Sequence, residues 1–140
     1  MILHQLAIGL MAISVTVTIH ACFMIAAIGP FRRRVPNATT NFSKALVIVI
    51  VVLWFFLSIC VQCWAWSGLL LWLKAFRSLE EALYFSTVTF TTLGYGDIVL
   101  GPDWRLLGAF AATNGAIIIG WTAAIIFVAV QRVFEFSPGR

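Results

Sequence analysis

The sequence predicts an all-α integral membrane protein: three transmembrane helices, with a short re-entrant helix and an extended segment between the second and third. Three observations carry this. The 140 residues are 62% hydrophobic and 10% charged, whereas soluble domains are about half apolar and roughly a quarter charged. Two apolar runs exceed the ~20 residues needed to cross a bilayer, and a third does so with polar interruptions. The charges bunch between the runs, and no Arg, Lys, Asp or Glu lies inside one.

The first span runs from about Ile2 to Ile28 within an N-terminal unit, residues 1–29. It lacks a basic leader and exceeds the 7–15 apolar residues or so of a signal peptide, so it reads as a retained helix. At helical spacing Ser14 and Thr18 share one face, and Thr16 and His20 another. Hydroxyls in membrane helices bond their own backbone or a neighbouring helix. His20 is given a structural role and His4 an interfacial one.

Residues 30–43 read as a basic cytoplasmic loop within "GPFRRRVPNATTNFSK", which carries two prolines, a glycine and three arginines. Two N-x-[ST] matches begin at Asn37 and Asn41. They would place the loop outside if glycosylated, but a short loop rich in arginine stays cytoplasmic. The second span follows, from about Ala45 to Leu73, with Gln62 as its one strongly polar interior residue. Trp66 and Trp72 are expected in the outer headgroup belt. Cys60 and Cys63 form a C-x-x-C without further ligands, which suits small packing residues better than a metal or redox site.

The third span runs from about Leu106 to Val130, and residues 132–140 form a short tail. With the 29–44 stretch inside, Arg32, Arg33, Arg34, Lys44, Arg132 and Arg140 lie on the inner side, against Lys74, Arg77 and Arg105. That bias puts the N-terminus outside and the C-terminus in the cytoplasm of a multi-pass cell-membrane protein. The net charge of +4 is thus that of span ends meeting lipid headgroups, with no nucleic-acid footprint. No Ser/His/Asp or metal cluster points to an enzyme, and no cofactor is implied.

Between the second and third spans lies "LEEALYFSTVTFTTLGYGDIVL", residues 79–100. Its alternating Thr, Val, Phe and Tyr would make a strand in water. Beside a bilayer, a lone strand leaves backbone groups that hydrocarbon cannot satisfy. The segment therefore splits. Ser78 caps a helix from Leu79 to about Thr91, with Glu81 placed for a capping box and Glu80 and Glu81 suiting the positive helix end. "TLGYG" continues as extended backbone, which is tolerated at membrane depth where it is buried in protein or lines a water-filled path. Carbonyls aimed to one side can replace the hydration shell of a cation such as K⁺. Aiming them requires unusual backbone angles at alternate residues, and glycine reaches φ > 0 without penalty. Gly94 and Gly96 stand at alternate positions, and Thr92 adds a hydroxyl at the inner end. Leu93 and Tyr95 would point outward and wedge the ladder against the short helix. One chain supplies one wall, so several copies must surround the axis.

"TTLGYGD", Thr91 to Asp97, resembles the signature of potassium channels, and the resemblance extends over residues 44–131 as outer helix, pore helix, selectivity filter and inner helix. It implies a potassium-selective homotetramer, with K⁺ held by the backbone carbonyls of Thr92, Leu93, Gly94 and Tyr95. Gly96 falls at the outer end and Asp97 at the outer mouth. Leu93 replaces the commoner Val. Tyr84 and Phe85 fall where many members carry an aromatic cuff and, with Thr91, would support the filter; Val88 replaces the supporting glutamate of some members. On the inner helix the family's hinge maps to Gly115, with Gly120 a second flexible site, though both small residues also suit close packing. Ala116, Ile119, Ala123 and Phe127 would line the pore, with Phe127 a candidate constriction. Asn114 would hydrogen-bond the second span or touch the cavity. The extra N-terminal span departs from the family's usual two. A weakly selective cation channel and a non-conducting accessory subunit are the alternatives.

Overall fold

The computed structural model describes residues 2–36 and 38–135. Among them are four helices: α1, Ile2–Arg34; α2, Asn41–Trp72; α3, Leu79–Phe90; and α4, Arg105–Glu135. No strand occurs among the described residues. α1, α2 and α4 are each long and apolar enough to cross a membrane. α3 has 12 residues, about 18 Å at helical rise, too short to span.

α1 packs along α2 and α4, and α3 packs on α2 and α4. Three apolar clusters follow one another along the bundle. At one end Ile8, Leu70, Phe85, Leu100 and Leu107 meet. Cys63, Trp66, Phe90, Ala111 and Ile118 form the middle. At the arginine end, Val35, Ala38, Val47 and Val133 close the bundle. The start of α1, the end of α2 and the start of α4 thus share one end. There His4 lies against Trp104, their rings 6.3 Å apart.

The helix starts follow local chemistry. Thr40 Oγ1 accepts from the Ser43 N–H at 3.2 Å and Ser43 Oγ from the Thr40 N–H at 3.1 Å, a complete capping box for α2. Ser78 Oγ accepts from the Glu81 N–H at 3.1 Å at the start of α3, the one half of the expected box that forms. α2 and α3 end alike. The Lys74 N–H donates to the Leu71 carbonyl and the Ala75 N–H to that of Leu70. Likewise the Thr92 N–H donates to Thr89 and the Leu93 N–H to Val88. This pair of crossed bonds closes a helix through one left-handed residue, here Lys74 at φ 55° and Thr92 at φ 62° rather than glycine.

Several expectations are corrected. Residues 29–34 are helix, not loop: α1 runs through Gly29 and Pro30 to Arg34. Pro30 removes one backbone bond, that to the Ala26 carbonyl. The arginines meanwhile occupy the last turn, where cations offset the negative helix end. α2 begins at Asn41, ahead of Ala45, because Thr40 caps it. α4 continues past Val130 to Glu135. Asn37, the first N-x-[ST] site, and Arg140 lie outside the described residues, as does the tail from 136 on. Trp66 is no belt residue. At 1% exposure it belongs to the middle cluster, while Trp72 is 74% exposed. Asn114 bonds the first span rather than the second, donating from Nδ2 to Thr16 Oγ1 at 2.6 Å. The two faces of α1 separate as read. Ser14 and Thr18 are exposed and bond their own helix backbone, and Thr16 and His20 are buried against neighbours.

Candidate functional site

The segment after α3 starts from the left-handed turn at Thr92. Three residues there have positive φ: Thr92 at 62°, Gly94 at 58° and Gly96 at 76°. They alternate with Leu93 and Tyr95. A strand throws successive carbonyls to opposite sides, and inverting every second residue removes that alternation. Glycine adopts such angles freely, whereas a residue with a Cβ adopts them at a cost of roughly 1–2 kcal/mol. At Thr92 the cost is offset by the helix-closing bonds. The Val88 carbonyl also accepts from the Gly94 N–H at 3.2 Å, which holds the first turn of the segment to α3. The φ of Thr92 had no glycine to announce it; only the break in helical pattern after Thr91 marks the place.

Leu93 and Tyr95 do not wedge against α3 of the same chain. They are 57% and 67% exposed within the chain. Tyr84, on α3, reaches the far end instead: its hydroxyl donates to Asp97 Oδ2 at 2.6 Å. Asp97 Oδ1 accepts from the Ile98 N–H at 3.0 Å. The tyrosine hydrogen bond holds the Asp97 carboxyl below its ordinary range. The same bond raises the Tyr84 phenol above its own. This link ties the two ends of the segment through α3, and a separation of 13 residues hid it from the sequence.

The other expected support residues point elsewhere. Phe85 packs in the end cluster with Leu70 and Leu107, its ring 5.2 Å from that of Phe76. Thr91 Oγ1 donates to the Thr87 carbonyl at 2.7 Å within α3. Phe85 thus docks α3 on α2 and α4, and Thr91 bonds the backbone of α3. Gly115 of α4 lies where a Cβ would stand 1.7 Å from the Phe90 carbonyl oxygen. A glycine is required there for α4 to cross the last turn of α3. Gly120 meets nothing within 4 Å.

One face of α4 is left open among the described residues. Ala116, Ala123 and Phe127 are exposed and Ile119 half-buried, while Asn114, Ile118 and Thr122 on the opposite face are buried. Helical spacing aligns the first four with the same side of the helix. Leu93, Tyr95 and this face therefore leave apolar surface uncovered among the described residues.

A family model described as "Ion channel" matches residues 45–132. The chain belongs to the ion channel family. The match covers α2, α3, the 91–100 segment and nearly all of α4, and points to a transport rather than an enzymatic protein. Neither a curated protein nor a solved structure matches the chain. The membrane character of the channel agrees with its three apolar helices.

α1 lies outside the matched region, yet it is bonded into the channel by groups the sequence did not pair. His20 is fully buried. Its Nδ1 lies 3.2 Å from Ser58 Oγ and 3.4 Å from Gln62 Nε2, and its Nε2 lies 3.5 Å from Thr122 Oγ1. The imidazole stands between the rings of Phe55 and Trp121, at 5.5 and 4.9 Å. Trp54 Nε1 donates to the Phe23 carbonyl at 2.9 Å. The polar residues were each visible in the sequence; that they meet was not.

Proposed function

We propose that this channel is potassium-selective and works as a homotetramer. The observation that carries the reading is the alternation of positive φ at Thr92, Gly94 and Gly96. It allows the carbonyls of Thr92, Leu93, Gly94 and Tyr95 to replace the shell of a dehydrated K⁺, with Gly96 at the outer end. Four Asp97 carboxylates, kept ionised by Tyr84, would raise the cation concentration at the mouth. The negative ends of four α3 helices would favour a cation below the filter. Ala116, Ile119, Ala123 and Phe127 would line the inner pathway, with Phe127 as its narrow point. We place the bend of α4 at Gly120, since Gly115 is occupied by its contact with Phe90. Tetramer formation would seat Leu93 and Tyr95 against neighbouring copies and turn the open face of α4 toward the shared axis, which supports the assembly. Residues 44–131 act as the pore unit, and K⁺ is the permeant ion with no cofactor needed.

The reading is tested with purified protein in liposomes. K⁺ and Rb⁺ should pass far faster than Na⁺. Equal Na⁺ flux would favour a weakly selective cation channel, and no flux from intact tetramers would favour an accessory subunit. We further propose that the arginine end faces the cytoplasm of a cell membrane, with the N-terminus outside, following the distribution of basic residues. A cysteine at the exposed Thr39 should resist impermeant thiol reagents in intact cells. Ready labelling would reverse the orientation.

A further inference from the structure

Two clefts open on either side of Ala27, Phe31 and Val51 near the arginine end of the bundle. The first, about 190 Å³, lies between α1 and α2 and reaches from Trp54 to Arg34. The second, about 390 Å³, lies among α1, α2 and α4 and is walled by Trp121 and Val128. Their linings are apolar, with one exception: Arg34, at the mouth of the first. The Trp54 N–H, the remaining polar group there, is engaged by the Phe23 carbonyl.

We propose that the first cleft holds an acyl chain of an anionic phospholipid, with its phosphate at Arg34. Apolar cavities do not recruit water, so hydrocarbon is the natural filling of a cleft between two membrane-spanning helices. The first cleft follows α1 from Ala26 to Arg34, about 12 Å of helix, which suits a chain lying along the helix. Arg34 stands where that chain's headgroup would emerge. Its planar guanidinium matches a phosphate through paired hydrogen bonds. The charge of this end is complementary to an anion: Arg32, Arg33, Arg34, Lys44 and Arg132 share it with the single carboxylate of Glu135 among the described residues. Basic clusters flanking a membrane helix attract anionic lipid, and the cleft that ends at Arg34 makes the attraction a site rather than a diffuse field. The proposal depends on neither potassium selectivity nor assembly.

The test uses the full chain in vesicles of equal phosphatidylcholine and phosphatidylglycerol with matched acyl chains, read by native mass spectrometry of retained lipid. Retained phosphatidylglycerol should exceed phosphatidylcholine about fivefold, the ratio for one basic contact of about 1 kcal/mol. Arg34→Gln should bring the two toward parity while lipid is still retained. Arg132→Gln, at the same end but outside both clefts, should keep the preference. Ala27→Phe, which intrudes into both clefts, should release lipid of either kind. If that variant does not fold, phosphatidylglycerol brominated on its chains replaces it, since Trp54 walls the first cleft. Quenching of tryptophan fluorescence should fall in Trp54→Phe. Parity in the parent protein, equal losses in Arg34→Gln and Arg132→Gln, full retention by Ala27→Phe, or quenching unchanged by Trp54→Phe would each overturn the proposal.

Discussion

Gly94→Ala separates a conducting backbone from mere packing. Gly94 has φ 58°, and a Cβ built on it meets nothing within 4 Å. The substitution therefore costs no collision, only the left-handed backbone, roughly 1–2 kcal/mol for an ordinary residue. Four copies at one axis would load about 4–8 kcal/mol on residues 92–96 if the costs add. That segment can relieve the load by rotating its peptides, because Gly94 is held by one backbone bond, to Val88, while the helices are untouched. The expected outcome is a tetramer in mild detergent that no longer conducts K⁺ in liposomes. Gly115→Ala serves as the contrast. Its Cβ would stand 1.7 Å from backbone, which no rotamer can yield, so α3 and α4 must part. Overpacking of this kind costs about 1–3 kcal/mol or more per chain and should lower the thermal stability of the whole protein. Gly29→Ala, on an exposed stretch of α1 with open space around it, should conduct and unfold like the parent or slightly later. Selective K⁺ conduction by Gly94→Ala would refute the role given to positive φ. Dissociation of that variant to monomers would refute the argument that its strain stays local.

Tyr84→Phe removes the hydroxyl that depresses Asp97, so loss of K⁺ conduction on external acidification should move up toward the ordinary carboxylate value of 3.8. The sign follows from both shifts. A depressed Asp97 lends its stabilisation above its ordinary value and loses it only as pH falls through the lower folded one. A raised Tyr84 keeps its share below 10.0 and loses it as pH rises beyond. Conduction should thus be flat between those limits in the parent, and an identical acid profile in Tyr84→Phe would count against the link. The Asn114–Thr16 bond should show a coupling of about 0.6 kcal/mol, at most ~1.7, in a double-mutant cycle with Asn114→Leu and Thr16→Val, measured by unfolding in mixed micelles; zero coupling would leave that bond without energetic weight.

How much of this was legible in the chain depends on the range of the physics involved. The spans were, because crossing a bilayer is a matter of length and apolarity. So were the start of α3 at Ser78 and the angles at Gly94 and Gly96, which local chemistry dictates. The arginine triplet misled for a local reason as well. Gly29 and Pro30 read as a loop, yet a proline costs a helix one bond to Ala26, and the apolar faces of Phe31 and Val35 pack on into the bundle. Thr92 was seen for its hydroxyl and missed for its backbone, since the crossed bonds to Val88 and Thr89 that hold it left-handed form only once α3 exists. Tyr84 with Asp97, Asn114 with Thr16 and Gly115 with Phe90 are contacts between elements. Every partner except Phe90 was noticed singly, and no periodicity could join them.

The place of α1 follows from what drives association in lipid. Apolar helices gain little by leaving hydrocarbon for one another, so small residues and polar bonds must hold them. α1 has both at intervals along its length. Gly9 lies under the Phe110 ring, where any Cβ would collide at 2.5 Å. Thr16 takes Asn114, His20 meets Ser58, Gln62 and Thr122, and the Phe23 carbonyl takes Trp54. The partners divide between α2 and α4, so α1 bridges the outer and inner helices rather than leaning on one. Along α4 the contacts at Phe110 and Asn114 precede Gly120, and the contact at Thr122 follows it. A bend at Gly120 would leave the first two in place and draw Thr122 from His20, where the separation is already 3.5 Å, the weakest of the set. The seam thus grips the half of α4 that supports α3 and the 92–96 segment. A bend at Gly120 would therefore free first the half that carries Ala123 and Phe127.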